Sequence, residues 1–536
     1  MAVPDERDSA NSGSQSGKVI SIRGHQAAEH AIDELLATRR QDPRFISLVA
    51  KAFSIGLPLL SAIARRLDAD RPQELLMLAE VAGRYPGRGQ AVRTLVRAAN
   101  DRRSTDARRF GAALALGLYD YGVVLPPLSD FIGGLASPAS AFASAITRAM
   151  SCYFRSRAPQ EWESLFSLFL SQPPEVLFSV IGALNADSDF GMGDTASVLR
   201  FIALNSHPEV TAAAVEALAS RTDGESVRAL AALQANLPPD VAHSVGRQLQ
   251  KLRLSGIYDP DTHAGSVTTL EARLSAVDGK GRCLLRLATE PGQGTVRTRV
   301  LELILSDTQG VIDGALNPTA AAVNGAANGA SPGAHHPLYG EQALHRESLT
   351  KVPFQYSLRV LRRFVRLNWT AGTNLPVAYI LEVGAIWEAS GDVGNDRTEI
   401  VPVAGGENAV SGEDESALLS HPSFAGWYLD SPATHLAAHD IAVSSGGLSS
   451  ELTDENWRIL LPSIIRLSHD EFVPDMRVLY ANRLRLMAEW LHLSGQPSYA
   501  SLAASAAYTM THSPPEANLF VLRLVQKGIL VALSQL

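Results

Sequence analysis

The chain has 536 residues, 46% of them hydrophobic, with 47 Lys and Arg against 55 Asp and Glu for a formal net charge of −8. That length exceeds what one growing core can fill, so roughly two to four domains are expected. The acidic balance gives no global drive toward nucleic acid, no run approaches the ~18 apolar residues of a membrane span, and two cysteines, Cys152 and Cys283, exclude a disulfide framework and fit a reducing cytoplasm.

Residues 1–22 are rich in Ser, Asn, Gly and Asp, lack the apolar core of a secretory signal, and read as a disordered tail. From 23 to 258, apolar residues recur at three- and four-residue spacing with regular Pro, Gly and Asp punctuation, which predicts helices throughout. The stretch 123–150 is apolar, but Pro126, Pro127, Asp130, Pro138 and Arg148 interrupt it, so buried helices of a soluble body are expected there. His207-Pro208-Glu209-Val210 opens the clearest helix. Pro208 suits a first turn, where its missing N–H costs nothing, and Val210, Ala214, Ala217 and Leu218 form one apolar stripe. Residues 225–233 supply the next helix. Pro239-Asp240-Val241 then opens another, with Val245 and Leu249 one turn apart. A period of about 30 residues with small residues at helix contacts marks a solenoid. Over roughly 190–255, and more weakly upstream, the pattern resembles HEAT-like repeats of the short bacterial type. That resemblance implies an α-solenoid acting as an interaction scaffold, and it specifies no partner. Lysine is scarce beside arginine, and Ala and Gly are abundant, a bias that suggests a GC-rich bacterial source.

From 259 to 316 the composition changes to a small antiparallel β module. Leu270, Ala272 and Leu274 alternate on one face, Asp278-Gly279-Lys280-Gly281 makes a tight turn, and 283–288 returns as a second strand. A third strand is expected over 296–305, and the resulting three-stranded sheet must lay its apolar face on helices. Residues 317–350 read as a low-complexity linker. Residues 351–389 return to helices packing on the β module, 390–430 read as an acidic Gly-rich insertion, and 431–536 as a C-terminal helical domain. The fold class is therefore mainly α: a helical array, a small antiparallel sheet and a terminal bundle.

Two basic stretches are candidate partner-binding surfaces. Arg93, Arg97 and Arg102 lie in an arginine-rich run from 84 to 109, with Arg93 and Arg97 sharing one helical face. Arg359, Arg362, Arg363 and Arg366 occupy a second helix, opposite an apolar face of Leu358, Leu361, Phe364 and Val365. Such surfaces suit another protein carrying an acidic segment. Nucleic acid is disfavoured by the net acidity and the absence of interleaved aromatics; a solvated face is the plain alternative for the first run, and for the second a solvated face or pairing with the acids of the 390–416 insertion, with an external anionic ligand the remaining reading. His435 and His439 have the spacing of metal ligands on a helix, but Leu436 stands where a His-Glu-x-x-His motif places its glutamate, so no metal is assigned. Asp307 and Asp313 follow the third strand, where turn and capping preferences account for them as well as catalysis does. No Gly-x-Ser-x-Gly elbow, phosphate loop or dinucleotide fingerprint occurs. A non-enzymatic scaffold without cofactor is the expectation. Metal-dependent chemistry centred on the β module and regulatory nucleic-acid binding are the alternative classes.

Overall fold

The computed structural model describes residues 12–38, 42–156, 158–186, 192–205, 207–258, 269–290, 299–316, 349–388, 417–445 and 454–536. Among the described residues, 21 α-helices accompany one five-stranded antiparallel sheet, so the protein is mainly α with a small β module. The chain divides into two compact units. Unit 1 comprises Met1–Gln234 and Pro239–Pro260, and unit 2 comprises Ala235–Pro238 and Asp261–Leu536.

Unit 1 opens with α1 (Ser12–Ala37), α2 (Arg44–Phe53), α3 (Leu57–Arg66), α4 (Pro72–Gly83) and α5 (Arg88–Ala99). It continues with α6 (Asp106–Gly117), α7 (Leu128–Ile132), α8 (Pro138–Arg155), α9 (Glu163–Leu170) and α10 (Pro174–Ala186). It closes with α11 (Met192–Ala203), α12 (Pro208–Ser220), α13 (Gly224–Gln234) and α14 (Pro239–Leu254). Helix α1 begins inside the stretch read as tail, and residues 1–11 lie outside the described residues. Proline occupies the first turn of α3, α4, α8 and α12, where no intrahelical N–H is lost. The expected stripe of α12, Val210, Ala214, Ala217 and Leu218, is buried.

Packing in unit 1 joins helices one place apart, such as α5 on α6, α11 on α12 and α13 on α14, and two places apart, such as α1 on α3, α4 on α6, α8 on α10 and α11 on α13, while α8 also reaches α4 and α11. An aromatic row runs through the middle of the unit. Phe110 of α6 meets Phe142 of α8, which meets Phe169 of α9; Phe166 of α9 then meets Phe201 of α11, with ring centroids 5.2–5.5 Å apart at these steps. Each such ring pair contributes about 0.5–1.5 kcal/mol beyond its area burial.

Unit 2 is built on β1 (Thr269–Leu274), β2 (Arg282–Glu290), β3 (Arg299–Ser306), β4 (Gly310–Leu316) and β5 (Thr350–Val352), in spatial order β4-β3-β2-β1-β5. The sequence predicted three of these five strands. Strand β4 carries Gly310, Asp313 and Gly314, all poor strand formers, and follows β3 through a tight turn closed by Gly310 at φ 87°. Strand β5 has three residues and straddles the boundary between the stretch read as linker and the stretch read as helices, too short to show an alternating pattern. Cross-strand rows place Ala272, Leu287 and Leu301 side by side, and Leu274, Leu285 and Leu303 in the next row but one, all buried. Each fully buried leucine is worth about 1.5–3 kcal/mol.

Helix α15 (Phe354–Ala371) packs on β1, β3 and β4, and α16 (Val377–Glu388) on β3 and β4. Buried Glu382 of α16 accepts from Arg299 of β3 at 2.7 Å. Asn368 of α15 closes the start of β4, taking the N–H of Val311 and donating to its carbonyl. The last part of the stretch read as an acidic insertion is instead packed. Leu418, Phe424, Trp427 and Leu429 are buried around two 3-10 turns, Ala417–Ser420 and Pro422–Phe424, because those apolar side chains outweigh the polar composition around them. Residues 389–416 lie outside the described residues. Unit 2 ends with α17 (Pro432–Ser445), α18 (Asp454–Glu471), α19 (Pro474–Leu493), α20 (Pro497–His512) and α21 (Leu519–Leu533). Helix α19 packs on α20, and α21 packs on both α17 and α18.

Among the described residues, no single helix is long and apolar enough to cross a membrane. Two consecutive helix pairs reach that length only together, and they bend by 116° and 106° between their halves.

Candidate functional site

The first arginine run falls on α5, on the turn after it, and on the start of α6. Arg93 and Arg97 are exposed one helical turn apart on α5, while Ala91, Leu95 and Ala99 bury the opposite side of the helix. Arg102 and Arg103 are exposed on the turn, and Arg108 on the first turn of α6. Two carboxylates share this stretch, and both are committed to backbone. Asp101 accepts from the N–H of Arg103 and the hydroxyl of Ser104. Asp106 takes the N–H groups of Ala136 and Ser137 together with the guanidinium of Arg109. Arg109 itself is buried and donates to the carbonyls of Ala99 and Gly134. It is therefore a strut between loops, and it leaves the exposed set. Among the described residues, Arg93, Arg97 and Arg102 form no ion pair, and the surface keeps their full positive charge.

The second stripe is divided by what packs against it. Arg359 and Arg363 lie toward α19, where their positive charge acts on Glu489. Glu489 accepts from the Tyr356 hydroxyl at 3.0 Å, and burial pushes its carboxyl above the ordinary value against the pull of that bond and of the two arginines. Arg362 lies over the indole of Trp387 from α16 at 4.3 Å, with Arg366 exposed one turn further on. One surface expected from spacing is thus two pairs with different neighbours.

Asp307 does not line an open cleft. Its carboxylate is 3% exposed and receives Arg483 of α19 through Nε at 2.6 Å and Nη2 at 3.3 Å. Arg483 also donates to the carbonyls of Gly279 and Lys280, at 2.6 and 3.2 Å, and lies over the Tyr480 ring. A single buried cation therefore joins the β1–β2 turn, the end of β3 and α19. Burial raises the Asp307 carboxyl above its usual value, and Arg483 opposes that shift. Gly281 sits in this junction at φ 79°, where an added Cβ would fall 2.0 Å from the Asp307 carboxylate. Two indoles complete the lock: Trp427 donates to the carbonyl of Val277 at 2.8 Å, and Trp490 to that of Leu274 at 2.9 Å. Asp313 accepts from the N–H of Gly314 within β4. Asp307 thus anchors Arg483, and Asp313 holds backbone directly.

His435 and His439 share α17 at one-turn spacing, and both are exposed. His435 Nε2 meets Asp430 at 3.0 Å, and His439 lies 4.0 Å from Asp440. Among the described residues, no group of three or more His, Cys, Asp or Glu is placed to hold a metal ion. Cys283 is buried in β2, where burial pushes its thiol well above the ordinary range, so it packs without being a nucleophile.

Arg483, Glu489 and Trp387 escaped sequence reasoning because nothing local marks them: each acquires its role from a residue brought in from another element. The one available signal was Arg483 on the predominantly apolar side of α19, beside Tyr480, Leu484 and Met487. No protein-family model, no curated protein and no solved structure matches the chain.

Proposed function

We propose that the protein is a cytoplasmic interaction scaffold whose unit 1 is a HEAT-like array, and that the arginine surface of α5 and the following turn captures an acidic segment of a partner protein. The observation that carries this reading is the contrast between the cations and the acids there. Arg93, Arg97 and Arg102 are exposed without ion pairs among the described residues, while Asp101 is held by Arg103 N–H and Ser104 and Asp106 by Arg109 and two backbone N–H groups. Neighbour-to-neighbour helix packing supports it, since such arrays offer extended, rigid surfaces. Carboxylates on a flexible segment can meet guanidinium forks bidentately, and complementary charge raises the rate of encounter. An acidic protein segment fits better than nucleic acid, given the overall net charge of −8 and the lack of interleaved aromatics for base stacking.

The test is affinity capture from the native host, with and without nuclease, using the wild-type chain and the double variant Arg93→Glu/Arg97→Glu. A stoichiometric protein that survives nuclease and is lost from the double variant is the expected result. Capture unaffected by charge reversal removes this surface from consideration. Partners that vanish with nuclease would transfer the surface to nucleic acid.

A further inference from the structure

Arg362 differs from the other arginines discussed above in lying against an indole with no carboxylate paired to it among the described residues. Its guanidinium lies 4.3 Å over Trp387, an indole that is 7% exposed. Its Nε–H is shut off from solvent and has no acceptor among the described residues. Arg366, one helical turn along and exposed, adds a second positive charge, and among the described residues no carboxylate pairs with either side chain. The nearby Tyr379 hydroxyl is already engaged as a donor to Asn236 Oδ1. Burial, and after it the charge of Arg366, hold Arg362 below the ordinary arginine range.

A half-buried cation with a like charge beside it and, among the described residues, no counter-charge is an expensive arrangement unless something completes it. The stacked indole supplies part of the compensation through its π face. The donors of a guanidinium lie in one plane, and that planar fork matches two oxygens of a tetrahedral oxyanion. The Cβ atoms of residues four apart on a helix are about 6 Å from each other, so both side chains can reach one small dianion. We propose that Arg362, Arg366 and Trp387 form a binding site for a phosphate-type oxyanion, free or as the phosphomonoester group of a small molecule. This site lies within unit 2 and does not depend on the arginine surface of unit 1.

The experiment titrates the full-length protein with inorganic phosphate, and separately with glycerol phosphate, at constant ionic strength. Calorimetry and tryptophan fluorescence report binding, because Trp387 lies under the anion-binding fork. Saturable binding is expected, weakened about ten-fold by Arg366→Gln and by Arg362→Lys, which keeps the charge but removes the fork. The control Arg93→Gln/Arg97→Gln should bind as the wild type does. Tighter glycerol phosphate identifies a phosphomonoester as the ligand, and equal or weaker binding identifies free phosphate. Failure to saturate by about 1 mM phosphate, or equal weakening by the control pair, overturns the site. Arg366 is exposed, so Arg366→Gln tests the proposal even if Arg362→Lys disturbs folding.

Discussion

Replacing Arg483 by methionine puts the architecture of unit 2 to its hardest test. Four acceptors lose their donor together: both Asp307 oxygens, at 2.6 and 3.3 Å, and the Gly279 and Lys280 carbonyls, at 2.6 and 3.2 Å. Methionine retains most of the buried volume, so the loss is electrostatic and hydrogen-bonding more than a cavity. Removing one member of a buried pair costs about 3–5 kcal/mol, because the other charge remains buried and uncompensated. In urea denaturation followed by circular dichroism, that corresponds to a midpoint lower by about 1–2 M for the transition reporting unit 2. The double variant Asp307→Asn/Arg483→Met removes the stranded charge and should recover a substantial part of the loss. The deficit should also depend on pH. Asp307 has a raised carboxyl in the folded chain, and loss of Arg483 raises it further, so the folded variant takes up a proton more readily than the unfolded chain does. Acid therefore relieves the variant, and its deficit against wild type should be smaller near pH 5 than near pH 8. A loss below about 1 kcal/mol, or strict additivity in the double variant, would refute the junction as an energetic centre.

Glu489→Gln should keep an acceptor for Tyr356 while removing a carboxyl that burial has raised. Wild type loses the benefit of folded-state protonation as pH rises through that raised value, so the glutamine variant should show a flatter stability profile from pH 5 to 8; parallel profiles would contradict this. Trp490→Phe leaves the buried Leu274 carbonyl without its indole donor and should cost about 1–3 kcal/mol by chemical denaturation, with a neutral result arguing against the bond. Gly281→Ala must adopt φ 79° and displace the Asp307 carboxylate, so its loss should exceed the ~1–3 kcal/mol of backbone strain alone. His439→Ala should leave the metal content of the purified protein unchanged by elemental analysis; stoichiometric zinc lost in that variant would restore the metal alternative.

The helices of unit 1 were legible because their signals are local. Pro208 marks a first turn, Val210 and Ala214 keep helical spacing, and the partners of these side chains lie one or two helices away. The hairpin of β1 and β2 was legible for the same reason, through the turn at 278–281. Strands β4 and β5 were not, since their identity comes from pairing with β3 and β1 rather than from composition. The arginine stripe of α15 illustrates a further limit. Helical spacing correctly puts four arginines on one side, but Trp387 and Glu489 arrive from other helices and divide them. Trp427 shows the converse, an anchor of the core inside a segment whose acid and glycine content suggested solvent.

The indole of Trp490 and the strand carbonyl it bonds are 216 residues apart in the chain. During synthesis at about 5–20 residues per second, the first strands of the sheet therefore emerge roughly 10–40 s before the helix that locks them. The helices of unit 1 meet no such delay, because each finds its neighbours almost as soon as it is made. A ribosome-bound chain thus carries the helices of unit 1 followed by a sheet still waiting for α19, and it is over this interval that premature termination or chaperone depletion would do the most damage.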